Sequence, residues 1–283
     1  MKLNFKERYK HYTNGIFDDD KYHIVKIPNE WKTHRQNMPV YFDETNDYNE
    51  ILNKNKGSYI IVRNDGYDNY NQPCFQKVRK INSYNSFSIL HKLNFGRHWG
   101  PFYKYIDNVK WEDKKNEIIW RGCPTGTNER INFCINYNAK YDVGLTQVFS
   151  HLSQYSYLVK NKINIDDFYQ YKYIISIEGN DKDSGLDWKL NSNSVVIMKP
   201  PTFESWLMES KLEPWIHYIP LNDDMTNLDE IYEWCLNNDE KCKEIVKNAN
   251  EFMENFKDLE FEKKIIDKIE NDYFKYIKIE FEN

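Results

Sequence analysis

The pattern of apolar and polar positions changes near residue 117. Before that point the chain is irregular and rich in Asn, Tyr and Asp, with short strand-like runs at 58–63 and 75–79. After it, short apolar runs alternate with segments of helical spacing. This alternation is typical of βα units, so the sequence predicts an α/β fold whose second half contains a parallel sheet.

The second half contains the clearest predicted elements. Strands are expected at 118–120, 141–145, 173–177, 194–198 and 216–219, and helices at 127–135, 185–191, 203–210, 228–236 and 240–256. Thr226 and Asp229 have the spacing of a capping box, and Thr202 follows two prolines where it can cap the helix at 203. The last stretch, 261–281, has the pattern of an amphipathic helix that packs on the body.

Composition and charge exclude several classes of protein. The 283 residues include 39 Lys and Arg against 44 Asp and Glu, a net charge of −5 that argues against a nucleic-acid binder. With 40% hydrophobic residues the chain can bury a core. Its length predicts two modest domains, which we place at 1–115 and 116–258, with 259–283 as a helical extension.

Neither a signal peptide nor a membrane span is predicted. Charged residues interrupt every apolar run near the amino terminus, and no run reaches the length of about 18 apolar residues that a spanning helix needs. We therefore expect a cytoplasmic protein. The odd number of cysteines, without Cys-x-x-Cys spacing, favours reduced thiols over a zinc site or disulfides.

The turn at 120–130, with sequence Trp-Arg-Gly-Cys-Pro-Thr-Gly-Thr-Asn-Glu-Arg, is the strongest candidate for chemistry. It lies between a predicted strand and a predicted helix, where backbone N–H groups and the guanidinium groups of Arg121 and Arg130 could hold a diphosphate. It lacks the Gly-Lys-Ser/Thr of a P-loop and the Gly-x-Gly-x-x-Gly of a dinucleotide fold. Spacing alone leaves a second interpretation open, a structural turn whose arginines pair with carboxylates.

A second loop, 178–185, follows the predicted strand at 173–177. Because ligands gather beyond the carboxyl ends of parallel strands, both loops could face one ligand. Asp181-Lys182-Asp183 resembles the Asp-x-Asp of metal-dependent sugar transferases, and Asp18-Asp19-Asp20 is another acidic run. Neither has His or Glu at a spacing that would complete a cation shell, so no metal site is expected.

Several blocks of the sequence together resemble glycosyltransferase family 90. They occur in the family's order and lie at 85–94, 120–122, 173–181, 185–201, 204–209 and 213–220. The resemblance covers about 58–256. This family includes capsule-associated proteins, lipopolysaccharide-modifying transferases and protein O-glucosyl- and O-xylosyltransferases.

The resemblance implies a GT-B-like architecture of two Rossmann-like halves with an interdomain cleft. It implies an inverting glycosyltransferase that moves a sugar, glucose or xylose first, from a UDP-sugar to a hydroxyl of a glycan or glycoconjugate, without a metal or other cofactor. The donor-binding residues that it implies are Arg121, Gly122, Thr125 and Arg130 for the diphosphate, Gly179, Asn180 and Asp181 for the pocket, Lys189 near the phosphates and Glu204 for the ribose hydroxyls.

The chain departs from the family in one place. Protein O-glucosyltransferases have an arginine in the stretch that matches 184–189, and this chain has none there. Lys189 is the candidate substitute, but an ammonium lacks the bidentate fork of a guanidinium.

The catalytic base implied by the resemblance is Asp65, at the end of the early strand 58–63, with Asp68 as the second choice. On the residues alone, Asp65 is also explained as a turn aspartate in Asn-Asp-Gly. Two alternative functions stay open. One is a catalytically inactive glycan- or nucleotide-binding protein on the same fold, and the other is an enzyme that only cleaves nucleotide sugars.

Overall fold

The structure is a computed structural model that describes residues 2–28, 50–51, 53–54, 62–63, 72–82 and 87–282. The chain forms two compact units. The first comprises Met1–Gly100, Phe203–Glu209 and Asn255–Asn283, and the second comprises Pro101–Thr202 and Ser210–Glu254. The predicted domain boundaries at 115 and 258 stay predictions.

The strands are numbered in chain order among the described residues. They are β1 (His23–Pro28), β2 (Val62–Arg63), β3 (Cys74–Gln76), β4 (Val78–Lys80), β5 (Ser88–Leu90), β6 (Lys115–Gly122), β7 (Asp142–Leu145), β8 (Tyr171–Ser176), β9 (Val195–Met198), β10 (Phe203–Ser205), β11 (Ile219–Pro220) and β12 (Ile277–Glu282).

The α-helices are numbered in the same way. They are α1 (Phe5–Thr13), α2 (Phe95–His98), α3 (Gly100–Lys104), α4 (Glu129–Tyr137), α5 (Ile165–Phe168), α6 (Leu186–Leu190), α7 (Leu228–Asn237), α8 (Asp239–Met253) and α9 (Leu259–Tyr276). Short 3₁₀ segments lie at Trp111–Asp113, Ser150–Leu158, Glu209–Lys211 and Glu254–Phe256.

The second unit is built on a parallel five-stranded sheet of order β11-β9-β8-β6-β7. Its central strands are apolar and buried on both faces, as parallel strands covered by helices require. Alternate residues face opposite sides: Ile118 packs in one core cluster, whereas Ile119 packs in another with Trp188. The prediction of an α/β fold with a parallel sheet is confirmed.

The predicted helices at 127–135, 185–191, 228–236 and 240–256 are confirmed with small shifts as α4, α6, α7 and α8. The strand predicted at 216–219 is shorter, because Trp215 adopts a left-handed φ of 64° in a turn before β11. The capping box was wrong: Asn227 is the N-cap of α7, and the Thr226 hydroxyl donates to Asp224.

The helix predicted at 203–210 was wrong. Residues 203–205 form β10, which pairs antiparallel with β4 in the first unit. Trp206 and Leu207 follow and are fully buried. Thr202 caps no helix and instead binds the Glu178 carboxylate through its N–H and hydroxyl. Pairing with a distant strand has overridden the local helical pattern.

The described residues of the first unit form three small sheets: β2-β3-β5, β1-β12 and β10-β4. The predicted amphipathic helix at 261–281 is α9, which ends at Tyr276, where the chain becomes β12 and pairs in parallel with β1. A buried carboxylate, Glu262, binds Arg8, Lys92 and the Trp206 indole.

Among the residues that the structure describes, no helix is both long and apolar enough to cross a membrane.

Candidate active site

The site lies where the order of the sheet reverses. From β6 the chain moves to the edge strand β7 and then returns to the other side of β6 as β8. Ligands of open α/β sheets bind outside the carboxyl ends of the strands at such a switch point. The segments that follow β6 and β8 are the two candidate loops, 123–128 and 177–185. We call them the β6 loop and, for the role that the resemblance implies, the donor loop.

The two loops are in direct contact. Gly126 has a φ of +81°, and a Cβ on it would lie 2.1 Å from the carbonyl oxygen of Gly179. The N–H of Gly126 donates to the Asn180 side-chain oxygen at 2.8 Å. Glycine is therefore required at 126 for both its backbone conformation and this close approach.

Arg130, in the first turn of α4, joins the two loops. Its guanidinium donates to the carbonyl oxygens of Ile177 at 2.6 Å and Glu178 at 3.1 Å in the donor loop. It also donates to the Thr125 hydroxyl at 2.9 Å and the Cys123 carbonyl at 3.0 Å in the β6 loop. The structure thus brings together Thr125, Arg130, Gly179 and Asn180, as the sheet topology predicts.

The start of α4 faces outward beside these loops. Thr127 and Asn128 are exposed, and the N-cap Asn128 accepts no side-chain hydrogen bond from the first turn. The positive end of the helix dipole and the nearby Arg130 guanidinium favour a negatively charged ligand here.

Arg121 is bound within the protein. Its guanidinium pairs with the Asp142 carboxylate at 2.6 Å, and its side chain is only 8% exposed. It also donates to the carbonyl oxygens of Trp120, Asp142 and Asn161. Burial raises the pKa of Asp142, but hydrogen bonds from Arg121 and Tyr171 outweigh it and hold that pKa below its ordinary value. For Arg121, the interpretation as an arginine paired with a carboxylate describes the structure.

Gly122, beside Arg121, is needed because a Cβ there would lie 2.5 Å from the Trp120 ring.

Lys189 is also paired internally. Its side chain is 6% exposed, and its ammonium binds the Asp183 carboxylate and donates to the Ile175 carbonyl at 3.2 Å. Although burial opposes it, the charges of Lys189 and Arg130 lower the pKa of Asp183. Asp181, in the same loop, is buried.

Sequence reasoning missed two buried carboxylates here. Asp183 was considered only as half of an Asp-x-Asp metal motif, and Asp187, in the first turn of α6, was not considered at all. Burial raises the pKa of Asp187 to about 7, opposed only in part by the charge of Lys182. In the described part of the chain, Asp187 Oδ2 has no hydrogen-bond partner. No local sequence signal marks either role, because both depend on tertiary burial.

Glu204 belongs to the first unit, on β10. Its carboxylate pairs with the Arg79 guanidinium at 2.7 Å and lies 3.1 Å from the His11 ring nitrogen, and its side chain is 7% exposed. The expectation that it begins a helix is wrong, and its role toward a ribose stays a prediction.

Asp65 and Asp68 lie outside the described residues. Within the described ranges, no group of three or more His, Cys, Asp or Glu side chains could hold a metal ion.

Comparisons with known proteins agree with the resemblance. The family model for glycosyl transferase family 90 matches residues 89–279. O-glucosyltransferase LpsA of Dichelobacter nodosus is 34% identical over 186 residues, which cover 65% of this chain and 56% of LpsA. Protein O-glucosyltransferase 2 of Danio rerio is 31% identical over 147 residues, 50% of this chain and 29% of that protein.

This chain therefore spans little more than half of LpsA and under a third of the zebrafish protein. A crystal structure of a glycosyltransferase from Rickettsia africae ESF-5 aligns with a TM-score of 0.42 and 11% identity, over 97% of this chain and 84% of that one.

Proposed function

Since this chain belongs to glycosyl transferase family 90, we propose that it transfers a sugar, glucose or xylose, from a UDP-sugar to a hydroxyl group of a glycan or glycoconjugate. The proposal includes inversion at the sugar carbon, a GT-B-like arrangement and no requirement for a metal or other cofactor. The family and the relatives named O-glucosyltransferases support glycosyl transfer.

The observation that carries the proposal is the contact between the β6 loop and the donor loop at the switch point of the sheet. We assign the diphosphate to this point, beside the start of α4, with Thr125 and Arg130 as its principal side chains. As the bond to the sugar breaks, negative charge grows on the UDP leaving group, and a fixed guanidinium stabilises that charge. Gly179, Asn180 and Asp181 would line the pocket on the donor-loop side.

Arg121 and Lys189 act in this proposal through their carboxylate partners. Each side chain is almost fully enclosed and already paired, Arg121 with Asp142 and Lys189 with Asp183. Withdrawing either cation from its partly or largely enclosed carboxylate partner would leave an uncompensated charge. We therefore assign the direct side-chain contacts with the diphosphate to Arg130 and Thr125.

Inverting transfer also requires a base that takes the proton from the acceptor hydroxyl as it attacks. We propose Asp65 for this role, with Asp68 as the second choice. Asp65→Asn should lower kcat by at least about 100-fold and leave the UDP dissociation constant unchanged, because the carboxylate acts on the acceptor side.

The test combines UDP calorimetry with an assay for UDP release from UDP-glucose and UDP-xylose. Arg130→Ala should weaken UDP binding by at least about tenfold, since it removes hydrogen bonds to a charged group. Lys247→Ala is the control, because that side chain is 74% exposed in the second unit and should change nothing. A wild-type protein that binds no UDP would refute the proposed donor.

One observation favours a second candidate, a nucleotide-binding protein that has lost transfer. The family's arginine in 184–189 is missing, and the lysine found there is paired with Asp183. This candidate predicts UDP binding without UDP release under any acceptor condition, whereas the proposed enzyme releases UDP when an acceptor is present.

A further inference from the structure

We propose that Asp183 is a positioning residue that fixes the donor loop, 177–185, and that Lys189 serves the reaction as its counter-ion instead of contacting the diphosphate. This inference rests on the proposed function, because that function assigns the loop to the sugar donor. It concerns a carboxylate that is absent from the assigned site residues and that the sequence marks only as part of an Asp-x-Asp motif.

One carboxylate holds both ends of the donor loop. Asp183 Oδ2 accepts from the Ser176 hydroxyl at 2.7 Å, at the end of β8. Asp183 Oδ1 accepts from the N–H of Gly185 at 3.0 Å, immediately before α6. The loop between these two points is thereby closed through a single side chain, with Gly179, Asn180 and Asp181 inside it.

Lys189 fixes this carboxylate from α6. Its ammonium binds Asp183 and donates to the Ile175 carbonyl on β8, so one cation ties the helix to both the strand and the loop. The Asp183 side chain is 13% exposed and that of Lys189 only 6%. An ammonium that moved outward to a phosphate would abandon a largely enclosed carboxylate, which is strongly unfavourable.

The surrounding charges favour the ionised form of the Asp183 carboxylate. Burial is the main cause that raises the pKa of Asp187 to about 7, and the neighbouring Asp183 contributes to that rise. For Asp183 itself, the positive charges of Lys189 and Arg130 more than offset burial and lower the pKa. Arg130 is the residue that joins the two loops, so the Asp183 charge also favours the position of that guanidinium.

The test compares four variants of the full chain: Asp183→Asn, Lys189→Met, the double variant with both changes, and Lys247→Met as an exposed control. UDP dissociation constants, KM and kcat are measured for each. We expect both single changes to weaken UDP binding by about tenfold, the equivalent of one hydrogen bond to a charged group. KM for the UDP-sugar should rise more than kcat falls.

The double variant separates the two explanations. If Lys189 acts through Asp183, the double variant buries no uncompensated charge and should bind UDP better than either single variant. If Lys189 contacts the diphosphate, Asp183→Asn should bind UDP as well as the wild type does, and the double variant should bind as poorly as Lys189→Met. That second outcome would overturn the proposal.

Amide hydrogen exchange gives a readout that does not depend on activity. Asp183→Asn should increase exchange in 177–185 and leave β9 and α7 unchanged. Unchanged exchange in 177–185 would overturn the proposal, whether or not the wild type binds UDP. Failure of the wild type to bind UDP would refute only the proposed donor. The double variant keeps the test usable if a single variant does not fold, since neutral replacement of a buried pair is well tolerated.

Discussion

Glu262 offers the sharpest test of how the first unit is held together. One of its carboxylate oxygens accepts from Arg8 at 2.5 Å, and the other accepts from Lys92 at 2.9 Å and from the Trp206 indole at 2.6 Å. The side chains of Arg8, Lys92 and Glu262 are 0%, 4% and 3% exposed. This carboxylate therefore joins α1, α9 and the segment Phe203–Glu209 inside the unit.

Glu262→Gln removes the charge and keeps the shape of the side chain. Two buried cations then lose the same counter-ion, and breaking a buried ion pair in this way costs about 3–5 kcal/mol. Lys92 keeps its position 4.1 Å over the Trp99 ring, and Arg8 keeps its position 4.7 Å over the Phe256 ring. Such ring contacts contribute only about 1–2 kcal/mol each and are present before and after the change, so they do not offset the loss.

We therefore expect the free energy of unfolding to fall by about 4 kcal/mol and Tm to fall by about 10 °C. Urea unfolding followed by tryptophan fluorescence measures the free energy of unfolding, because Trp99 and Trp206 are buried in this unit. The control is Lys263→Ala, one residue away: that side chain is 75% exposed, and its pair with Asp267 should contribute less than about 1 kcal/mol. A loss below about 1 kcal/mol for Glu262→Gln would show that the Glu262 charge does not hold this unit together.

Two further predictions concern the second unit. Because burial raises the pKa of Asp187 to about 7, the folded protein keeps a proton that the unfolded chain releases near pH 4. The contribution of Asp187 to stability should therefore decline between about pH 4 and pH 7, by at most about 4 kcal/mol, and level off above that range. Asp187→Asn should remove this slope in urea titrations, and equal slopes in both proteins would contradict the assignment. Gly126→Ala should force the two loops apart, since its Cβ would lie 2.1 Å from the Gly179 oxygen, and should weaken UDP binding by at least about tenfold. Gly100→Ala, whose Cβ would lie 3.5 Å from the nearest atom, is the matched control and should bind UDP normally.

Local patterns in the sequence were sufficient to predict much of the second unit. Apolar runs long enough to be buried on both faces predicted β8 and β9, and helical spacing predicted α4 and α8. The convergence of the two loops followed as well, because parallel strands bring their carboxyl ends to one edge of the sheet. Such features depend on neighbouring residues and on a general rule of topology.

Contacts between residues distant in sequence set which partner each charged residue takes. Glu204 meets Arg79 across 125 positions of sequence, and that pairing makes a strand of a segment with a helical pattern. Arg121 and Lys189 look alike in sequence as candidate phosphate ligands, yet each is enclosed against a carboxylate. The amino-acid sequence is enough to show which side chains could bind an anion. Burial and contacts between residues far apart in sequence set the free energy of each charged side chain. They therefore decide which of these side chains are already paired.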